Sequence, residues 1–172
     1  KEGEPGDVLM LSSEDSLKDT IRKRLDYVDA DVRRVHCISG VSNEKGEEEH
    51  ISFEKDLKTL EVHMMSHKYS LIIIDPLNAY MGGNVETHND AKVRTILAPL
   101  ATLAEKTGAA MLCVMHMNKS NGSRAIYRVM GSMGYVGTAR TVLLFTENPD
   151  DKSQRVLSCA KNNIGETPPS LA

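Results

Sequence analysis

Four short polar stretches follow apolar runs in this chain, and each carries side chains suited to electrostatic or acid–base chemistry. Glu14 comes after the first run, Asp75 ends the run S-L-I-I-I-D at 70–75, His116 follows a third, and Lys161 ends the last. A carboxylate at the end of a buried strand is placed to hold a Mg²⁺–nucleotide complex. A carboxylate that is partly desolvated, as we expect for Glu14, is able to orient and deprotonate a water molecule.

Each of these residues also has a purely structural interpretation. Ser13 or Asp15 is able to cap the helix that follows, and His116 is able to be an ordinary histidine at a strand end. Asp75 alone is a weak signal, because every buried strand must end at polar residues. The stronger argument is convergence: the carboxyl ends of parallel strands meet at one edge of a sheet, so the four groups are expected to lie near one another.

The elements that must position these residues alternate between strand and helix. Apolar runs predict strands at 7–12, 32–38, 71–74, 109–115, the second half of 136–147 and 155–161. Apolar residues three and four apart predict helices at 16–28, 53–67 and 89–107, and Gly108 ends the last of them. Residues 39–50 and 116–132 are predicted to be polar connections, with a short helix or turn just before the strand in 136–147.

This alternation predicts an α/β fold with a mostly parallel sheet, helices on both faces and an antiparallel β-hairpin at the C-terminal end. A length of 172 residues with 40% hydrophobic residues is ordinary for one well-buried domain. We therefore expect residues 1–172 to form a single domain.

Composition narrows the classes of function. A net charge of −3 argues against a protein that coats nucleic acid by bulk electrostatics, although a local basic strip stays open. The chain contains no apolar run of the ~18 residues that span a bilayer. Cys37, Cys113 and Cys159 lie far apart without a CxxC spacing, so they are predicted to be reduced core residues of a cytoplasmic protein. His63 and His67 are four apart on a predicted helix, but without a third ligand nearby in sequence they do not predict zinc.

Three motifs in order resemble a known family. They are L-S-S-E-D-S at 11–16, L-I-I-I-D-P-L at 71–77 and M-H-M-N-K-S at 115–120. This succession resembles the RecA-like P-loop ATPases of the RepA replicative-helicase type, a group that includes the ATPase parts of phage and plasmid primase-helicases. The resemblance covers about residues 7–169 and implies a RecA-like three-layer sandwich that uses ATP and Mg²⁺.

The resemblance assigns roles to individual residues. Glu14 matches the catalytic glutamate that polarises the attacking water, and Asp75 matches the Walker B aspartate that holds Mg²⁺. His116 matches the polar sensor that couples the state of the γ-phosphate to loops facing DNA. These are electrostatic tasks, because phosphoryl transfer needs its negative charge neutralised and its nucleophile aligned.

The segment 118–129 occupies the place of the DNA-facing loop in that family. Lys119, Arg124 and Arg128 supply it with charges suited to phosphate groups. The implied partners are DNA, single-stranded in particular, further copies of the chain in a ring or hexamer, and a primase as a candidate. A solvated basic loop without a nucleic-acid role remains the alternative.

The chain departs from the family pattern in its phosphate-binding loop. It contains no GxxxxGK[ST], and it opens directly on the strand at 7–12 without an initiator methionine. We expect a piece of a longer protein with the Walker A strand and helix upstream, which would leave a sheet edge exposed and favour self-association. A degenerate, non-hydrolysing relative is the other explanation.

A second departure concerns the arginine that reaches the nucleotide of a neighbouring subunit. The family's Arg-Gly-Ser-Ser stretch is Met-Gly-Ser-Met at 130–133 here, and methionine cannot replace a guanidinium. Arg128 or Arg140 is able to supply that charge instead. Lys161 matches a Lys-x-Asn stretch of the family and is a further candidate for a neighbour's phosphates.

The function expected from the resemblance is ATP hydrolysis coupled to DNA unwinding or remodelling in replication, with little activity in the isolated piece. Two alternatives stay open. One is a DNA-binding or oligomerisation scaffold that kept the fold without the enzyme, and the other is a recombination or repair ATPase.

Overall fold

The computed structural model describes residues 4–43, 45–83, 89–117 and 133–172. Its strands, in chain order, are β1 (Asp7–Ser12), β2 (Val35–Ile38), β3 (Val41–Ser42), β4 (Glu48–Glu49), β5 (Tyr69–Asp75), β6 (Ala110–Cys113), β7 (Thr141–Glu147) and β8 (Arg155–Asn162). Its α-helices are α1 (Arg22–Tyr27), α2 (Phe53–Ser66), α3 (Asp90–Thr107) and α4 (Met133–Thr138). A π-helical turn, Leu17–Ile21, runs into α1, and 3₁₀ turns occupy Val32–Arg34 and Leu77–Tyr80.

The central element is a four-stranded, all-parallel sheet in the order β2-β1-β5-β6. Two antiparallel pairs accompany it, the short β3-β4 pair and the C-terminal β7-β8 hairpin. The predicted α/β class, parallel sheet and terminal hairpin are therefore confirmed. The apolar run of β5 forms an inner strand between β1 and β6. Its residues alternate between buried and half-buried or exposed, so it is not buried on both faces as an apolar run in a parallel sheet predicts.

The core lies between one face of this sheet and the helices α2 and α3. Alternate residues of β1 and β5 point into it, because side chains of a strand alternate between faces. The fully buried members on the strands are Leu9, Leu11, Ile72 and Ile74. From the helices, Leu60 and Met64 of α2 and Val93 and Leu97 of α3 pack against them.

The opposite face of the sheet is only half-buried. Met10 and Ile73 lie there with intermediate exposure. The six-residue helix α1 contributes no buried side chain, and Ile21 in the turn before it is buried. The RecA-like three-layer arrangement therefore stays a prediction.

The ends of α3 follow from its sequence. The Asn89 side chain accepts hydrogen bonds from the backbone N–H groups of Ala91 and Lys92, which caps the first turn. Gly108 has a φ of 71°, the left-handed conformation that ends helices at low cost when the residue is glycine. Both ends agree with the predicted helix within one residue.

Two segments of the structure differ from the sequence prediction. Val32–Arg34 is a 3₁₀ turn instead of the start of a strand, because the Asp31 side chain accepts a hydrogen bond from the Arg33 N–H and holds the backbone in a turn. The predicted loop 39–50 contains the β3-β4 pair, whose side chains are mostly exposed and therefore show no apolar alternation.

The prediction of three core cysteines is wrong. Cys37 and Cys113 are exposed and Cys159 is half-buried. Cys37 and Cys113 lie on β2 and β6, the two outer strands of the parallel sheet. None of the described helices is long and apolar enough to cross a membrane.

Candidate active site

The site lies at the carboxyl edge of the parallel sheet, where β1, β5 and β6 end side by side. Ser12 of β1 and Asp75 of β5 are register partners, and the Ser13 N–H donates to the Asp75 carbonyl oxygen at 3.1 Å. On the other side of β5, the Val114 N–H donates to the Ile74 carbonyl oxygen at 2.9 Å. These backbone bonds extend the ladder beyond the strands and fix the three polar segments relative to one another.

Glu14 and His116 meet at this edge although they are 102 residues apart in sequence. Glu14 Oε2 lies 3.3 Å from His116 Nε2, and 58% and 60% of the two side chains are exposed. The pair is therefore open to solvent and reachable by a ligand, and the expected partial desolvation of Glu14 is wrong. The prediction that these two residues converge is therefore confirmed.

Asp75 is half-buried next to this pair. Burial raises the pKa of its carboxyl group above the ordinary value, and the negative charge of Glu14 raises it further. His116 opposes these effects and lowers the pKa of Asp75. Two carboxylates thus share an edge with partial compensation from one imidazole, an arrangement that favours a bound cation.

Asp15 does not cap the following helix. The N-cap is Ser16, whose Oγ accepts a hydrogen bond from the Asp19 N–H at 3.2 Å. Asp15 instead accepts a hydrogen bond from Arg24 Nη1 at 2.6 Å. The interpretation of Ser13 or Asp15 as the cap is therefore wrong. Arg24 brings a positive charge to the same edge.

Tyr80 lies close to Ser13 and Asp75 and was not identified from the sequence. It is buried, and its ring stacks on Phe53 with centroids 5.6 Å apart. The pKa of Tyr80 is raised to about 12, mainly by burial. A hydrogen bond with the Ser13 side chain acts against this rise, and the charge of Asp75 adds to it. The only sequence signal was the apolar turn Leu77–Tyr80 directly after β5.

The two predicted cations near the hairpin have other partners. Lys161 Nζ donates to the carbonyl oxygens of Val136, Gly137 and Ala139 at 2.9, 3.2 and 2.6 Å, so it caps the end of α4. Arg140 Nη2 donates to Glu105 Oε1 at 3.3 Å in a largely exposed pair. Their roles towards a neighbour's nucleotide stay predictions.

The remaining predicted residues lie outside the part of the chain that the structure describes. They are Lys119, Arg124 and Arg128, together with the whole of the predicted DNA-facing segment 118–129. Of the four groups expected to converge, the structure thus brings together Glu14, Asp75 and His116. The expectation is wrong for Lys161, which lies on the separate β7-β8 pair and contacts the end of α4.

A comparison with protein-family models identifies the family of the chain. A protein-family model described as an AAA domain matches residues 1–122, a range that contains Glu14, Asp75 and His116. No curated protein matches the chain. The chain therefore belongs to the AAA domain family, which indicates an ATPase-like, nucleotide-binding function.

Proposed function

We propose that the chain is the larger, C-terminal part of a RecA-like ATPase of the replicative-helicase type, which couples ATP hydrolysis to unwinding or remodelling of DNA. The observation that carries the proposal is the 3.3 Å approach of Glu14 to His116 beside the half-buried Asp75. Three polar residues from three strands converge at the sheet edge where α/β proteins bind ligands.

The residues present fit a hard divalent cation. Asp75 is a carboxylate whose charged form is disfavoured by lost hydration and by the charge of Glu14, so a cation relieves both effects. Oxygen ligands of this kind are those that Mg²⁺ takes in nucleotide sites. Asp75 would hold Mg²⁺, with Glu14 nearby, and the ion would neutralise charge on the phosphates.

The roles of the other two residues follow from their exposure and contacts. Glu14 is ionisable, open to solvent and held by His116, so it is able to orient a water molecule and accept its proton. His116 touches Glu14 and lies at the start of the segment that leads to Lys119 and Arg124. A change at Glu14 would therefore be passed to the proposed single-stranded DNA contacts through His116.

Arg140 is the better supported of the two described candidates for action on a neighbouring subunit in a ring or hexamer. Its side chain is 73% exposed, and its partner Glu105 is nearly as exposed, so their ion pair is easily exchanged. Lys161 would have to break three hydrogen bonds to backbone carbonyls before reaching a phosphate. Arg128 stays the alternative to Arg140, and a primase stays a proposed partner.

The edge strand β6 leaves room in the sheet for an additional strand. Within the described residues, β6 pairs on one side only, with β5, and exposes Leu112. The hairpin strand β7 also exposes apolar side chains, Leu143 and Phe145. A Walker A strand, which the chain lacks as a GxxxxGK[ST] motif, would cover such a surface if it lies upstream in a longer protein.

The same missing motif favours one alternative, a DNA-binding or oligomerisation scaffold that does not hydrolyse ATP. A recombination or repair ATPase would use the same three residues and differ in its DNA substrate.

The test is ATP hydrolysis by the full-length gene product, with and without single-stranded DNA. We expect Glu14→Gln to lower DNA-stimulated turnover about 10²- to 10⁴-fold, the range for loss of an acid–base group. Asp75→Asn should also lower turnover, because it removes the proposed Mg²⁺ ligand. Matched controls are Glu61→Gln on α2 and Asp26→Asn on α1, exposed carboxylates that pair with Lys106 and Arg22. Turnover unaffected by either site variant would contradict the proposed site, and a wild-type protein without turnover would favour the scaffold.

A further inference from the structure

A second group of ionisable side chains lies at the opposite, amino edge of the same sheet. It consists of Asp7 at the start of β1, His36 on β2 and His67 just before β5. The three elements are neighbours with β1 in the middle, since Leu9 is the register partner of His36 and Asp7 that of Tyr69. We call these three residues the amino-edge cluster.

The ligand atoms of the amino-edge cluster face one another. Asp7 Oδ2 lies 2.8 Å from His67 Nε2 and 3.5 Å from His36 Nε2. All three ligand atoms lie within 4.8 Å of one another, and all three residues are half-buried. His36 Nε2 is itself buried and makes no hydrogen bond within the described residues. A buried imidazole nitrogen without a hydrogen bond is costly, and a bound cation that accepts its electron pair would remove that cost.

The surroundings hold the cluster in place. Arg34 Nη1 donates to Asp7 Oδ1 at 3.2 Å, which leaves Oδ2 directed at the two histidines. The rings of His36 and His67 lie 4.6 Å apart, and the His67 ring lies 4.5 Å from that of Tyr69. The Tyr69 hydroxyl is in turn 3.1 Å from His63 Nε2. Such outer contacts orient ligand side chains in metal sites.

We propose that Asp7, His36 and His67 bind a divalent transition-metal ion, zinc in particular. Two imidazole nitrogens and one carboxylate oxygen form a ligand set that zinc takes when it keeps a water molecule as fourth ligand. In a tetrahedral zinc site, bond lengths of about 2 Å place neighbouring ligand atoms ~3.3 Å apart. The distances from Asp7 Oδ2 to the nitrogens of His67 and His36, 2.8 and 3.5 Å, lie on either side of that value. Rotations of these side chains would therefore bring the ligand atoms into place without a shift of the strands.

The proposed ion would tie β2, β1 and the entry to β5 together, far from the ATPase residues in the fold. It differs from the proposed Mg²⁺ site in its ligands, because Mg²⁺ prefers oxygen and imidazole suits zinc. The site does not depend on the proposed ATPase function, so either can fail alone.

The experiment is a zinc titration of the complete, tag-free chain in competition with a chromophoric chelator. We expect one zinc per chain, and we expect His36→Asn and His67→Asn each to weaken binding more than about tenfold, the lower limit for loss of even an outer-shell partner. The controls are His50→Asn, an exposed histidine outside the cluster, and Cys37→Ser, a thiol next to His36. Both controls should bind zinc like the wild type.

Co²⁺ bound to the wild-type chain gives a second measurement that needs no variant to fold. A visible absorption band typical of four-coordinate Co²⁺, displaced by one equivalent of Zn²⁺, is the expected result. Zinc should also raise the Tm of the wild-type chain, since an ion that binds only the folded state stabilises it. Wild-type binding no tighter than that of His36→Asn and His67→Asn, or binding lost in Cys37→Ser, would overturn the proposal.

Discussion

The two edges of the parallel sheet carry similar residues in opposite electrostatic settings. At the carboxyl edge, Glu14 and Asp75 face one imidazole, that of His116, beside the mutually paired Asp15 and Arg24. At the amino edge, the carboxylate of Asp7 is surrounded by His36, His67 and Arg34. The carboxyl edge therefore has an excess of negative charge, whereas Asp7 at the amino edge lies among positive or protonatable groups.

The pKa values of the two aspartates shift in opposite directions for this reason. Lost hydration and the charge of Glu14 raise the pKa of Asp75. The hydrogen bond from His67 lowers the pKa of Asp7, against a smaller opposing effect of burial, and the charges of Arg34 and the histidines lower it further. The charged form of Asp75 therefore destabilises the fold, whereas that of Asp7 stabilises it. Destabilising charge that persists at a sheet edge is a mark of a binding or catalytic role.

The largest expected effect concerns the aromatic pair close to the carboxyl edge. Tyr80→Ala should lower the free energy of unfolding by about 3–5 kcal/mol, because it removes a fully buried ring that stacks on Phe53. Tyr80→Phe should cost much less, since it keeps the stack and loses only the hydroxyl beside Ser13. Denaturant unfolding followed by circular dichroism measures both.

Tyr27→Ala is the matched control for this prediction, because 90% of Tyr27 is exposed. It should change the free energy of unfolding by less than about 0.5 kcal/mol. If Tyr80→Ala and Tyr27→Ala lowered the free energy of unfolding equally, the packing of Tyr80 on Phe53 would not stabilise this edge of the sheet.

The sequence was informative where local and long-range signals agreed. The apolar run before Asp75 predicted a strand of the parallel sheet, and Asn89 with Gly108 predicted the limits of α3. Because the carboxyl ends of parallel strands lie at one edge of a sheet, the meeting of Glu14 with His116 followed from the predicted parallel arrangement.

The failures have local physical causes. The Asp31 side chain accepts a hydrogen bond from the Arg33 N–H and so holds a turn where a strand was predicted. The spacing of apolar residues gives no sign of such a local hydrogen bond. Ser16 instead of Asp15 caps the first helix, because Asp15 pairs with Arg24. The amino-edge cluster was missed because its members lie on three separate elements of the chain. Their side chains come close to one another only when the strands pair in the sheet.

The next prediction concerns Asp75 as a source of instability. Asp75→Asn should raise the free energy of unfolding by about 1 kcal/mol near neutral pH, equivalent to ~2–4 °C in Tm for a chain of this size, while it lowers the proposed activity. The raised pKa of Asp75 means that its favourable contribution is present below the unfolded-state pKa and is lost as the pH rises through the folded-state pKa. The advantage of the variant should therefore grow with pH across the acid range.

Glu14→Gln provides a check on this prediction, because it removes the charge that raises the pKa of Asp75 without removing Asp75 itself. It should give part of the same gain, measured by thermal unfolding at a series of pH values without Mg²⁺. A loss of stability in Asp75→Asn at neutral pH would mean that the carboxyl edge is electrostatically satisfied and that the contrast between the two edges is wrong.

The smallest expected effect is the reverse pH dependence at the amino edge. The pKa of Asp7 is lowered, so its stabilising contribution is present above the unfolded-state pKa and is lost as the pH falls through the folded-state pKa. Asp7→Asn should therefore lower the Tm near neutral pH, by less than the changes above, and the difference from wild type should vanish in acid. Thermal unfolding in the presence of a chelator isolates this effect from zinc, with Asp26→Asn as the control for an exposed carboxylate. A difference that instead grew as the pH fell would assign to Asp7 the behaviour expected of Asp75, and the two edges would no longer be opposites.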